Sequence, residues 1–91
     1  MKKIFRKNEY EIIKMITEKK RIHILLLYDA FARRGDILLY PRYDIHPVNL
    51  TLKRFEDAGL IKMRENIVTI QDGIRAKGMM HMTEKRREKY A

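Results

Sequence analysis

Apolar and polar positions follow their most regular pattern between residues 46 and 72. Spacings of four, three and four residues, which define one face of an α-helix, separate Val48, Leu52, Phe55 and Gly59. Pro47 suits the first helical position, where a missing N–H costs no hydrogen bond, and Gly59 suits a left-handed C-cap. The pattern therefore predicts a helix over residues 46–59.

Two short strand-like runs follow this helix. They cover residues 60–64 and 67–70, and the dipeptide Glu65-Asn66 joins them. A polar pair of this kind between two apolar runs is typical of a β-hairpin. We therefore expect a hairpin over residues 60–71.

The segment LKRFEDAGLIKM, residues 52–63, resembles the L-K-R-L-E-E-A-G-L-I segment of winged helix-turn-helix transcription regulators of the MarR, PadR and ArsR kinds. The resemblance covers about 25 residues around this segment. It implies a mainly α fold with a small β-wing, a winged helix-turn-helix with extra N- and C-terminal helices. Helix 46–59 would then read the major groove, and the wing, residues 60–71, would lie on the backbone or in the minor groove.

The first half of the chain predicts two helices. Asn8 and Glu11 have capping-box spacing at the start of a helix that ends near residue 19. Residues 17–21 lack apolar side chains and indicate a break, although one continuous helix over residues 8–34 remains open. The apolar run from residue 22 predicts a central core helix over 22–34, buried on most sides and ended by Gly35.

Residues 36–45 are the segment where the chain departs from the resemblance. Residues 36–40 are strand-like, and in winged folds a strand at this place pairs with the wing. The first helix of the helix-turn-helix would have to lie in residues 36–45. Either a single turn started by Pro41 or a loop fits that length.

The last predicted helix spans about residues 72–90, with Asp72 as its cap and two glycines that lower its propensity by about 1 kcal/mol each. We expect one domain over residues 1–91, with a core at about 20–72 and flanking helices at about 8–19 and 72–90. The flanking helices carry apolar stripes that predict a homodimer interface at Ile12, Ile13, Ile16, Met79 and Met82. The alternative is that the two helices pack on each other within one chain, which gives a monomer.

Candidate DNA contacts are the polar or exposed side chains on the predicted helix and wing. On a helical wheel, His46, Lys53 and Arg54 face away from the apolar side, and Asn49 lies on its flank. Amide side chains can pair with adenine, and Lys or Arg with guanine. The full predicted set is Arg42, His46, Asn49, Leu50, Lys53, Arg54, Lys62, Arg64 and Asn66. The alternatives are a solvated helix face, and an edge strand protected by charge.

Composition narrows the class of partner. The chain has 91 residues with 21 basic and 12 acidic side chains, a net charge of +9. Residues 1–45 carry 11 basic and 6 acidic side chains and the rest 10 and 6, so the excess is distributed. This charge favours nucleic acid over a membrane, because no long basic amphipathic face with Trp or Phe is present.

The sequence contains no motif for several other classes of function. The chain has no cysteine, and His23, His46 and His81 match no metal-binding spacing. No catalytic triad, paired carboxylates or glycine-rich phosphate loop occurs. We expect no enzyme activity, cofactor, metal or small-molecule ligand. Without an apolar signal core or a run near 18 apolar residues, we expect a cytoplasmic protein.

The sequence thus predicts a dimeric transcription regulator that binds specific double-stranded DNA. Two alternatives stay open. One is a winged-helix module that binds a protein of the transcription or replication machinery. The other is a nonspecific architectural binder of nucleic acid, including RNA.

Overall fold

The computed structural model of the protein describes residues 5–32 and 47–90. The helices α1, α2, α3 and α4 span Lys7–Lys19, Ile24–Ala32, Pro47–Asp57 and Gly73–Tyr90. The strands β1, β2 and β3 span Arg21–His23, Ile61–Arg64 and Ile67–Ile70. Among the described residues the order along the chain is α1, β1, α2, α3, β2, β3, α4. The predicted fold class, mainly helical with a small β-sheet, is confirmed at this level.

The three strands form one antiparallel sheet in the order β1-β3-β2. Glu65 and Asn66, between β2 and β3, have φ angles of 51° and 67°. Positive φ at both central residues is the geometry of a type I′ turn, whose twist matches that of the flanking strands. The predicted hairpin is therefore confirmed.

The core helix predicted over residues 22–34 starts later than predicted, because strand β1 takes its first two residues. Ile22 and His23 belong to this strand, and the helix starts only at Ile24. The imidazole Nδ1 of His23 accepts a hydrogen bond of 3.1 Å from the Leu25 N–H, so it caps α2. The Ile24 N–H donates to the carbonyl oxygen of Asn66 at 2.8 Å, which ties the start of α2 to the hairpin turn.

The strand that pairs with the hairpin is therefore β1. Residues 36–40, predicted for that place, and the predicted first helix within 36–45 both lie outside the described residues. Between α1 and α2 the chain turns at Lys20, where φ is 65°. Residues 8–32 thus form two helices with a strand between them, and the continuous helix is excluded.

The cap of α1 also differs from the prediction. The helix begins at Lys7, and the Arg6 N–H donates to Glu9 Oε1 at 2.8 Å. Arg6 and Glu9 therefore take the positions predicted for Asn8 and Glu11. A carboxylate three residues into the helix accepts from a backbone N–H that the helix itself cannot satisfy.

The hydrophobic core lies between the inner face of the sheet and the helices. Its side chains include Ile22, Ile61 and Val68 from the sheet and Leu52 and Phe55 from α3. The Phe5 ring packs edge-on against the Phe55 ring, with centroids 5.7 Å apart. This contact brings the start of the chain against α3.

Ile12, Ile13 and Ile16 belong to this same core and are at most 2% exposed. The prediction that they form a dimer interface is wrong for this reason: α1 packs against α4 and the sheet within one chain. Met79 is half-buried against the core, and Met82 is exposed. Only Met82 of the predicted interface residues keeps a largely free side chain.

Helix α2 is less buried than its composition predicts. Leu27 and Tyr28 enter the core, but Leu25 and Leu26 are 52% and 59% exposed. One side of a helix can face the core while the other stays in solvent, even where both sides are apolar.

Helix α4 begins as predicted. Asp72 Oδ1 accepts a hydrogen bond of 3.1 Å from the Arg75 N–H, which is the N-cap geometry. Its core-facing stripe is Ala76, Met79, Met80 and Thr83, whereas Ile74 is 90% exposed. The Thr83 hydroxyl accepts from the Phe5 N–H at 2.9 Å, so α4 also anchors the start of the chain.

A polar contact joins α1 and α4 at the edge of the core. The Tyr10 hydroxyl donates a hydrogen bond to Glu84, and the Arg87 guanidinium lies 4.6 Å from the centre of the Tyr10 ring. The hydrogen bond to Glu84, with burial, raises the pKa of Tyr10 above its ordinary 10.0. The protonated phenol is therefore the form that the folded state favours.

We predict that Tyr10→Phe lowers the free energy of unfolding at pH 8 by about 1 kcal/mol, because one hydrogen bond to a carboxylate is lost. Since the folded pKa is raised, this stabilisation is complete below the unfolded pKa near 10 and is lost as pH rises through the folded pKa. Urea unfolding of both proteins between pH 7 and 11.5 measures the difference, which should shrink above about pH 10. A difference that stays constant over this range would contradict the proposed link between protonation of the Tyr10 hydroxyl and the free energy of unfolding.

Candidate nucleic-acid interface

Burial fixes the rotation of helix α3. Val48, Leu52 and Phe55 are at most 3% exposed, and Thr51 beside them is also buried. Because these side chains hold one side of α3 in the core, the opposite side faces solvent. The predicted apolar face of this helix is confirmed.

The solvent side of α3 carries three of the predicted contact residues. Lys53 is exposed, Leu50 is 50% exposed, and Asn49 is half-buried on the flank. Lys53 forms no side-chain ion pair or hydrogen bond with another described residue. The surface therefore combines an amide, an apolar side chain and a cation without a counter-ion. We call it the helix surface.

A tight C-cap ends α3. Gly59 has a φ of 79°, and its N–H and that of Leu60 donate to the carbonyls of Glu56 and Phe55, both at 2.9 Å. This pair of bonds is the Schellman motif. The Arg75 guanidinium donates to the carbonyl of Ala58, so a side chain of α4 satisfies another backbone oxygen at this helix end.

Arg54 differs in placement from Lys53. Its Nη2 lies 3.8 Å from Glu9 Oε2 on α1 and 3.3 Å from the Thr51 hydroxyl. The guanidinium thus lies along the cleft between α1 and α3 and does not point straight outward as the helical wheel predicts. It braces the two helices, although its side chain remains 56% exposed.

The outer face of the sheet forms a second basic surface. Alternation along each strand sends Arg21, Lys62 and Arg64 outward, opposite to the core-facing side chains. Thr69 of the central strand pairs with Arg21 on one side and with Lys62 on the other. These residues, with Glu65 and Ile67, line a shallow depression of about 340 Å³. We call this outer face the sheet surface.

The hairpin turn lies at one end of the sheet surface. Asn66 is exposed, as predicted for a wing residue, but its carbonyl accepts from the Ile24 N–H. The turn is thereby held against the junction of β1 and α2. The hairpin is short and fixed at its tip to the rest of the fold.

Two of the predicted contacts, Arg42 and His46, lie outside the described residues. Sequence reasoning missed three residues: Arg21, Glu9 and Arg75. The alternation of Arg21, Ile22 and His23 is a strand signal, although three residues are too few to stand out beside a long apolar run. The pairing of Glu9 with Arg54 spans 45 positions and has no local signal.

Residues 5–32 and 47–90 also lack the features of a metal site and of a membrane-spanning helix. Within these ranges no group of three or more His, Asp or Glu side chains could hold a metal ion. No helix among them is long and apolar enough to cross a membrane. Comparison of the chain with protein-family models, curated proteins and solved structures finds no match.

We predict that Gly59→Ala lowers the free energy of unfolding by about 1–2 kcal/mol, because an L-residue is strained at positive φ. The added Cβ would also lie 3.4 Å from Arg75 Nη2. Gly73→Ala is the matched control, since its Cβ would meet Ile70 Cγ1 at 3.8 Å, an ordinary van der Waals distance, and alanine favours a helix. Urea unfolding should show opposite signs for the two variants. A Gly59→Ala protein as stable as wild type would contradict the C-cap assignment.

Proposed function

We propose that the chain is a winged helix-turn-helix protein that binds specific double-stranded DNA and regulates transcription. The helix surface of α3 would enter the major groove. The hairpin β2–β3 would contact the phosphate backbone or the minor groove. The observation that carries the proposal is the helix surface, where base-reading side chains stand opposite a buried apolar face.

The chemistry of the helix surface supports base reading. Asn49 can pair with adenine through two hydrogen bonds, Lys53 can donate to guanine, and Leu50 can pack on a thymine methyl. A half-exposed leucine on an otherwise polar helix face gains free energy when such a contact removes it from water. Asn49 and Leu50 lie in the N-terminal half of α3, the part of a recognition helix that reaches the bases, and Lys53 lies about one turn further on.

The order of elements also supports the proposal. Within residues 5–32 the order is helix, strand, helix, and within residues 47–90 it is the α3 helix, the hairpin and the α4 helix. The first strand pairs with the last. Both partial orders agree with the winged helix-turn-helix class, and helix α2 packs against α3. The net charge of +9 favours a polyanionic partner.

We predict that Lys53→Ala weakens binding to a selected DNA sequence by about 1–3 kcal/mol and relaxes specificity at one base pair. The sequence is first selected from a random DNA pool, and affinity is then measured against single base-pair changes. Arg54→Ala should weaken binding too, but with a loss of stability because the contact with Glu9 is removed.

Lys14→Ala is the control, since Lys14 is exposed on the solvent side of α1. It should leave specificity unchanged. Equal affinity of wild type and Lys53→Ala for every sequence, with both proteins folded, would sink the recognition assignment. Binding that does not weaken with salt would favour the protein-partner alternative, since DNA binders lose affinity steeply as salt rises.

We further propose that the protein is a homodimer and that α4 supplies the interface. With the three α1 isoleucines in the core, the free apolar side chains of α4 are Ile74 and Met82, 90% and 50% exposed. Gly78 lies between them at helical spacing, and its surface is open. This face could approach a second copy closely, because glycine adds no side chain there.

Sedimentation equilibrium at micromolar protein should give twice the 11.0 kDa of one chain. Ile74→Lys should lower that mass, because a charge would be buried in the interface. Leu25→Lys on α2, an apolar side chain that is 52% exposed, is the control and should keep that mass. A mass of one chain at every concentration would contradict the dimer.

A further inference from the structure

We propose that the sheet surface is a second phosphate-binding surface and that Arg21 of β1 is one of its contacts. The ligand is the phosphodiester backbone of a nucleic acid. The inference rests on the proposed function for the class of partner. It adds a surface on another side of the core and a residue that neither the helix nor the hairpin contains.

The geometry of the sheet places the cations in a defined pattern. Thr69 lies between Arg21 and Lys62, so these two side chains rise from strands on either side of β3, about 10 Å apart. Arg64 lies two residues beyond Lys62, about 7 Å along β2 on the same face. Thr69, between Arg21 and Lys62, is exposed.

The cations on the sheet surface lack counter-ions. Arg21, Lys62 and Arg64 form no side-chain hydrogen bond or ion pair with any residue of the described ranges. Glu65 is the acidic residue at the rim, in the hairpin turn. Three uncompensated positive charges around a shallow depression create a potential that attracts a polyanion.

Protection of the sheet edges by charge accounts for part of this pattern, since lysine in particular protects edge strands. It does not require three cations around one depression, and all three outward charged positions on β1 and β2 are positive. An exposed threonine between Arg21 and Lys62 adds the kind of group that contacts phosphate oxygens.

The sheet surface and the helix surface face different sides of the core. Helix α3 packs against β2 with its apolar side, while Arg21 and Lys62 project from the opposite side of the sheet. The two surfaces would therefore bind separate stretches of the nucleic-acid backbone. Phosphate contacts on the sheet would raise affinity and salt dependence without adding sequence specificity.

The experiment compares Arg21→Gln with Lys14→Gln, which removes the same charge from the solvent side of α1. Affinity for a random-sequence duplex is measured over a series of salt concentrations with the full chain. Each lost phosphate contact should lower the slope of log affinity against log salt by about 0.9. We expect this change for Arg21→Gln, about three times as much when Lys62→Gln and Arg64→Gln are added, and none for Lys14→Gln.

Backbone amide spectra locate the contact. Titration with the duplex, and separately with a single-stranded oligonucleotide of the same length, should shift the amides of residues 21–23, 62–64 and 67–69. Equal slopes for Arg21→Gln and Lys14→Gln, or shifts confined to α3, would overturn the inference. Binding to vesicles of acidic phospholipid without binding to either oligonucleotide would overturn it too, since the partner would then be a membrane surface.

The outcomes separate this inference from the proposed function. If Lys53→Ala relaxes specificity as expected but Arg21→Gln leaves the salt slope unchanged, only the role of the sheet surface is overturned. If Arg21→Gln lowers the slope but Lys53→Ala leaves specificity unchanged, only the role of the recognition helix is overturned. If the wild type binds neither oligonucleotide at low salt, both proposals are overturned.

Discussion

The recognition role proposed for helix α3 depends on the burial of one of its sides. Phe55 is fully buried, its ring contacts Phe5, and its carbonyl accepts the Leu60 N–H that closes the helix. A rotation of α3 by one residue would withdraw Val48 and Leu52 from the core, at about 1.5–3 kcal/mol for each side chain. That cost fixes which side chains reach solvent. The helix surface is thus a consequence of core packing.

The same segment shows what the sequence predicts well. Apolar side chains at spacings of three and four, a proline at the start and a glycine at the end all act within one helix, so their signals are local. The hairpin is local as well, since the Glu65-Asn66 turn sets its register. These elements form as predicted, and so does the cap of α4 at Asp72.

Elements that depend on distant partners were predicted less well. Strand β1 has three residues and exists because Ile22 pairs with Val68, 46 positions away. The pairing of β1 with β3 is what places Arg21 on the outer face of the sheet. The α1 isoleucines are a similar case. Their stripe is evident in the sequence, but periodicity does not say whether α4 or a second copy covers it.

The basic side chains of the described residues fall into groups with different roles. Arg54 lies beside Glu9, Arg75 joins Asp72 and the end of α3, and Arg87 stacks on Tyr10. These arginines hold helices together, so their charges are partly compensated within the chain. Composition alone cannot separate them from cations that are free to bind a partner.

Uncompensated cations on the helix surface and the sheet surface are what a polyanion would meet there. Lys53 stands on the helix surface, and Arg21, Lys62 and Arg64 stand on the sheet surface, without ion pairs to other described residues. Grouping like charges on one face costs free energy through repulsion, and a bound phosphate backbone would relieve it. Because the two groups lie on different sides of one core, a stable fold can carry both. Base contacts and phosphate contacts can then be changed separately, by substitutions on α3 or on the sheet.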